Sequence, residues 1–519
     1  MSIPQADRAG LAAPARRTGA LAAAAWLRRS AVRVLALALL AWVPLAAGGA
    51  AAADDVAARG RDAALRAALE RSLDVQALRG ARVAALVEGA DGRVVFARDA
   101  DRPLTPASNA KIFTSLAALS AFGPAHRFET LLLADREPDA EGAVGTLVLK
   151  GGGDPALNSE DWWRIADGLR RAGLRRVRGD LVLDDSLFDR ELWHPSWGRT
   201  SARAYHAPVS ALNANYGTFS AVVRPGAAIG SPAIVSLAPA VDHLRLVNRA
   251  VTLDPRRQTQ LRVDREEAAG NELVIVSGQA AADEHDVTFY RSVVDPTRYA
   301  GSVLREQLAQ AGVRVDGELR VARDGAEAAG TELLRHRGRP LSEIVELCMK
   351  YSNNQIAEAL VKQLALREGA PRGSWSEGIP ALRRRLESLG VGADGFDLVD
   401  GSGLSYHDRA TPRALVQAIR AGESSFAFGP EWMASMPIAD VDGTLSDRAA
   451  GAAGWVRAKT GTLTRVTALS GLAQLASGER VRFSILVNGY RSGDRDAMRA
   501  VDGFVEALVS PPSVAAGGR

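Results

Sequence analysis

The stretch "TPASNAKIFTSLAAL" (residues 105–119) decides how the rest of the chain is read. Its second half has the apolar spacing of a helix, yet it carries Lys111 one turn after Ser108. Lysine is scarce here: five of 64 basic residues, at Lys111, Lys150, Lys350, Lys362 and Lys459. Residues three apart on a helix share a face, so the Ser108 hydroxyl and the Lys111 amine can meet. A serine hydroxyl is a weak nucleophile and needs a base within hydrogen-bond reach. A lysine whose proton is loosened by burial can be that base. An arginine, which stays protonated, cannot.

An isolated Ser-x-x-Lys is common by chance, but this one has company. Ser352-Asn353-Asn354 and Lys459-Thr460-Gly461-Thr462 follow it once each. The order Ser-x-x-Lys, Ser-x-Asn, Lys-Thr-Gly is the set shared by class A β-lactamases and penicillin-binding proteins. The chemistry then distributes the roles. Ser108 attacks a carbonyl and becomes an acyl-enzyme, with Lys111 as its base. Ser352, lying between two amines, relays a proton to the leaving amine. Asn354 suits the substrate's amide, while Lys459, Thr460 and Thr462 suit a terminal carboxylate. Gly461 lets a strand approach the substrate closely. The backbone N–H groups of Ser108 and Thr462 are the expected oxyanion hole.

Working outward, residues 83–98 read as two strands around an Asp-Gly turn, and "VTALSGLAQL" and "VRFSILVNGY" (residues 466–490) as two more before a closing helix. Strands at both ends around central helices predict one α/β domain whose termini share a sheet. From about 132 to 336 the texture changes to short β-like runs, interrupted by one helical segment at 298–313. The first 53 residues carry six arginines and then an apolar run ending in "AAA", the layout of an export signal rather than a membrane anchor. They hold a net +5 of the chain's +4, so the remainder stands at about −1. The basic balance therefore gives no reason to expect a nucleic-acid partner. The one cysteine, Cys348, excludes an internal disulfide and reads as a buried helix residue. Seven scattered histidines without an HExxH pattern give no reason to expect a metal, and no cofactor motif stands out; "GGGDP" lacks the Lys-Ser/Thr of a phosphate loop.

With the three motifs in place, the chain resembles the class C low-molecular-mass penicillin-binding proteins, the D-alanyl-D-alanine carboxypeptidase/endopeptidases. The likeness extends to "KGGGDPAL" (150–157), "YHAPVSALNANYG" (205–217), "DGSGLS" (400–405) and "MPIADVDGTLSDR" (436–448), and to the 244 residues separating Ser108 from Ser352. It implies an α/β transpeptidase/β-lactamase-like domain, an antiparallel sheet with helices, at 54–131 and 337–510. Two nested, β-rich inserted domains would interrupt it, one at 132–158 and 250–336 and the other at 159–249. A signal peptide at 1–53 and a flexible tail at 511–519 complete the expected layout. The implied activity is that of an exported, periplasmic serine DD-peptidase acting on peptidoglycan stem peptides and acylated by β-lactams, with at most peripheral membrane association. A β-lactamase or a non-catalytic penicillin-recognising scaffold are the rivals. The long insertion speaks against the first, and the intact Ser108, Lys111, Ser352 and Lys459 against the second. Two departures stand out: Tyr406 follows "GSGLS" where family members often have Arg, and "PSWGRTSARAYHAP" (195–208) lacks the acidic residue many of them carry.

Overall fold

A computed structural model describes residues 60, 62–322 and 329–510. The signal peptide expected at 1–53 and the tail expected at 511–519 lie outside the described residues. The chain divides into two compact units, Met1–Ala64 and Leu65–Arg519. Of the first, residues 60 and 62–64 are described and are helical. Everything below concerns the second.

The alternating apolar runs at the two ends of the chain pair as their pattern predicts. Strands Arg82–Gly89 and Val94–Arg98 join Val456–Leu463, Val466–Gln474 and Arg480–Asn488 in one five-stranded antiparallel sheet. Its central strands are buried on both faces, so successive residues serve two cores. Ala84, Ala468 and Leu486 face a helical layer built on Ala110–Phe122, Leu341–Lys350, Asn354–Arg367, Trp375–Ser388 and Pro412–Ser424. Ala85, Leu469 and Ile485 face the C-terminal helix Asp494–Val509 through Val501, Phe504 and Leu508. Val456–Leu463 is an edge strand, and it carries Lys459 to Thr462.

Among the described residues, the β-rich texture between 129 and 337 forms a mixed five-stranded sheet, in the order Leu319–Val321, Leu181–Asp184, Leu147–Lys150, Glu129–Ala134, Thr331–Arg337, and three three-stranded sheets. Its entry and exit strands pair with each other, Leu131 opposite Arg335. The boundaries expected at 131/132 and 336/337 therefore cut through this pair, and the one at 249/250 cuts Leu244–Leu253. Among the described residues, two α-helices, not the single one expected, lie in this region: Ser159–Arg171 and Pro296–Gln310. The first carries the Trp162-Trp163 pair. It is set by a capping box, in which the Asn158 side chain accepts from the backbone while Asp161 reaches back to Asn158, worth about 1 kcal/mol. Trp162, Ile165, Ala166 and Leu169, spaced three and four apart, bury its inner face. The insertion also returns to the catalytic layer, where Phe188, Val209 and Ala211 join the helical core. That return brings Trp197, Tyr205 and His206 to the site. No helix among the described residues is long and apolar enough to cross a membrane.

Candidate active site

Ser108 sits in a 3-10 turn, Ala107–Asn109, that runs directly into the helix Ala110–Phe122. The tighter turn replaces the first helical turn that the sequence suggested. Ala107 holds a left-handed backbone, φ 47°, which costs on the order of 1 kcal/mol for a residue with a Cβ and lasts only where packing imposes it. Two glycines impose it. A Cβ on Gly403 would lie 1.8 Å from the Ala107 carbonyl, and one on Gly461 would lie 2.7 Å from the Pro106 carbonyl and 2.8 Å from Asn109 Nδ2. The loop after Asp400 and the edge strand thus close on the turn from two sides. The bareness of Gly461, read from the sequence as room for substrate, is room for the turn that bears the nucleophile.

Lys111 is wholly buried, and its Nζ has three neighbours: Ser108 Oγ at 3.0 Å, Asn354 Oδ1 at 2.7 Å and the Ser402 carbonyl at 2.7 Å. Two of these are obligate acceptors and take two N–H bonds. A neutral amine has only two hydrogens, so its lone pair then faces the Ser108 hydroxyl. Burial pushes this amine below the ordinary lysine value of 10.5, with the carboxylates Asp400, Glu358 and Asp408 opposing the shift.

Ser352 also has left-handed backbone, φ 56°, in the break between helices Leu341–Lys350 and Asn354–Arg367. Lys459 Nζ donates to its Oγ at 2.9 Å and to the Thr460 carbonyl at 2.8 Å. Lys459 is fully buried too, and burial followed by the nearby Lys111 cation carries it well below 10.5. Along the edge strand, the Ala458 N–H donates outward to the Pro437 carbonyl, and the Val456 carbonyl accepts outward from Ala439. By the two-residue period of a strand, the backbone groups of Thr460 and Thr462 point outward as well, the orientation an oxyanion donor at Thr462 needs. The Thr460 hydroxyl pairs with that of Thr444 at 2.7 Å.

A cavity of about 530 Å³ is lined by Ser108, Ser352, Asn354 and Thr462 from the catalytic layer, by Trp197, Tyr205 and His206 from the insertion, and by Tyr406 and Asp494. Asn354 is more committed than its expected role implies. Its Oδ1 holds Lys111 and its Nδ2 donates to the Tyr205 carbonyl at 2.9 Å, leaving one N–H for a ligand. Among the tryptophans of the insertion, Trp162 is buried, Trp193 donates to the His206 carbonyl, and Trp197 lines the cavity while donating to Asp400 Oδ2 at 2.8 Å. His194 packs edge-on to Trp375. Arg409, the arginine nearest to Tyr406 in the sequence, turns its Nη1 to Thr105 Oγ1 and the Tyr406 and Asp408 carbonyls.

Sequence reasoning missed the acidic floor. Glu358 accepts from the backbone N–H groups of Gly401 and Ser402 at 3.0 and 2.9 Å and from Trp375 Nε1, and burial pushes it up to about 7. Asp408 is raised well above the usual carboxylate range by burial and then by Asp400, whose own oxygens accept from Ser402, Gly403 and Ser405. These carboxyls fix the loop whose Ser402 carbonyl holds Lys111. A signal was available: Asn354, Glu358 and Lys362 fall at four-residue intervals on one apolar helix. Asp494, the carboxylate that lines the cavity, had no motif to announce it.

The sequence profile of the D-Ala-D-Ala carboxypeptidase 3 (S13) family matches residues 65–508. A D-alanyl-D-alanine carboxypeptidase from an Actinomadura species is 38% identical over 491 residues, spanning 92% of this chain and 89% of that one. The crystal structure of penicillin binding protein 4 (dacB) from Haemophilus influenzae superposes with a TM-score of 0.73 at 25% identity, covering 85% of this chain and 98% of the other. The same protein complexed with a β-lactam superposes with a TM-score of 0.68.

Proposed function

The chain belongs to the D-Ala-D-Ala carboxypeptidase 3 (S13) family, and from that membership we propose which residues carry its reaction and on what substrate. It is a serine-type D-alanyl-D-alanine carboxypeptidase, a DD-peptidase of the penicillin-binding class. Its substrates are peptidoglycan stem peptides, cleaved at the terminal D-Ala-D-Ala bond, at the peptide cross-link, or at both, and β-lactams acylate it as substrate mimics. It works after export, in the periplasm. The insertion between 132 and 336 is a two-part addition whose inner portion lines the site.

In the proposed course, neutral Lys111 takes the Ser108 proton as Oγ attacks the penultimate D-Ala carbonyl. The backbone N–H groups of Ser108 and Thr462 receive the oxyanion. Such donors lower the barrier by about 3–4 kcal/mol each. The proton passes through Ser352, held by Lys459, to the departing D-Ala nitrogen, and water then hydrolyses the acyl-enzyme. Lys459, Thr460 and Thr462 receive the terminal carboxylate, and the remaining Asn354 N–H meets the peptide amide. The observation that carries this course is the pair of carbonyl acceptors, at 2.7 Å each, that leaves the Lys111 lone pair facing Ser108. The rivals have less in their favour. The fully connected Ser108–Lys111 and Ser352–Lys459 pairs argue against a non-catalytic scaffold, and an insertion of about two hundred residues against a β-lactamase.

The test is incubation with a stem pentapeptide and with cross-linked muropeptides, followed by mass analysis. Loss of one D-Ala, with or without cleavage of the cross-link, is expected. Intact substrates beside a β-lactam turned over repeatedly would favour the β-lactamase reading.

A further inference from the structure

A second cavity, about 880 Å³ and so larger than the catalytic one, lies between the 3-10 turn Gln76–Leu78 and the start of the C-terminal helix. Gln76, Arg79, Arg491, Ser492, Asp496 and Arg499 line it. Three guanidiniums face it against one carboxylate, in a chain whose residues beyond 53 stand at about −1 overall. Asp496 reaches Arg499 only at 3.7 Å. The side chains of Arg79 and Arg491 take no carboxylate or carbonyl among the described residues. The frame that displays them is fixed. Leu78, Tyr490 and Ala497 are buried beneath, and Ser492 Oγ donates to the Ala77 carbonyl at 2.8 Å, joining the two walls.

The two cavities flank one short stretch of chain. Asp494 lines the catalytic cavity, while Ser492 and Asp496 line the basic one. Two residues span no more than about 7 Å, so the lining of the catalytic cavity at Asp494 lies next to that of the basic one along the chain. A volume of this size takes more than a single small anion. Guanidiniums that lack an internal partner bind carboxylate or phosphate through paired N–H donors.

We propose that Arg79, Arg491 and Arg499 form an exosite for anionic groups of the cell-wall polymer, engaged while Ser108 works on a neighbouring stem peptide. This rests on the reading of the substrate as peptidoglycan. The shared chemistry is an oxyanion, supplied either by free carboxylates of other stem peptides or by phosphates of polymers attached to the wall.

The test uses the Arg79→Gln/Arg491→Gln double variant and a second variant that adds Arg499→Gln. Each is compared with the parent protein for D-Ala release from a soluble stem pentapeptide and from insoluble sacculi, the latter with and without removal of phosphate polymers. Soluble-peptide turnover should stay at the parent rate, which also reports folding. Release from sacculi at low salt should fall about threefold to tenfold, and added salt should erase the difference, as expected for exposed charge pairs. A defect that survives phosphate removal assigns the carboxylates, and one that vanishes with it assigns the phosphates; either supports the exosite. An unchanged ratio of sacculus to soluble turnover in both variants overturns it. A parent protein that releases D-Ala from neither substrate overturns the peptidase reading, and the exosite with it.

Discussion

Replacing Lys111 by methionine separates the amine's chemistry from its packing, because methionine fills nearly the same volume without a base. The variant loses the two carbonyl contacts at 2.7 Å. At about 1 kcal/mol net per hydrogen bond, that is a loss of about 2 kcal/mol, offset in part because an amine no longer has to be desolvated. The rate is affected far more. A positioned general base contributes on the order of 10²- to 10⁴-fold, about 3–5 kcal/mol of barrier. Acylation should be followed as single-turnover formation of a penicillin adduct across pH, with thermal unfolding as the control. In the parent protein the rate should rise with pH through a group titrating below 10.5 and then level, because only the neutral amine accepts the Ser108 proton and burial holds Lys111 below that value. The methionine variant should be slow and lack this limb. Stability carries the same sign: between the lowered value and 10.5 the unfolded chain binds more protons, so folding gains with rising pH across that window. The variant should lose that share of the slope. A folded variant that acylates within tenfold of the parent, or a parent profile without the limb, would refute Lys111 as the base.

Lys459→Arg keeps a fixed cation beside Ser352 and should lower acylation less than Lys111→Arg does; equal small losses in paired rate measurements would reduce both lysines to bare charge. Gly461→Ala brings a Cβ to 2.7 Å from the Pro106 carbonyl, and relieving that overlap should cost about 1–3 kcal/mol, read as a tenfold or greater loss of acylation in a folded protein. Cys348 is buried, with its thiol pushed up to about 11, so iodoacetamide at pH 8 should leave it unmodified until the protein is denatured. Asp494 is held on Oδ1 by the Tyr490 hydroxyl at 2.8 Å, while the Arg465 guanidinium turns to the Tyr490 and Gly489 carbonyls, so no guanidinium covers the Asp494 side chain at the cavity among the described residues. Asp494→Asn should lower by about threefold the kcat/KM ratio between a peptide with an ammonium side chain and its acetylated counterpart, the size of an exposed charge pair.

The end strands, the nucleophile helix and the three motifs were legible because each depends on local pattern: alternation, helical spacing, or a short run of chemically distinct residues. The acidic floor was not. Glu358, Asp400 and Asp408 meet only when helix and loop pack, and their partners are mostly backbone N–H groups, which every residue carries. The boundaries of the insertion were also out of reach, since the strands Glu129–Ala134 and Thr331–Arg337 pair across nearly two hundred residues. Gly461 shows a subtler limit. The motif told that a glycine belongs there, but only the 2.7 Å approach to Pro106 tells what needs its bareness.

The central claim is that Ser108, and no other residue, is acylated. The most direct measurement is peptide mapping by mass spectrometry after brief exposure to a labelled penicillin, on the parent protein and on Ser108→Ala. The account predicts one adduct per chain, on the peptide containing Ser108, and none on the folded alanine variant. An adduct on Ser352 or elsewhere, or undiminished labelling of Ser108→Ala, would contradict it.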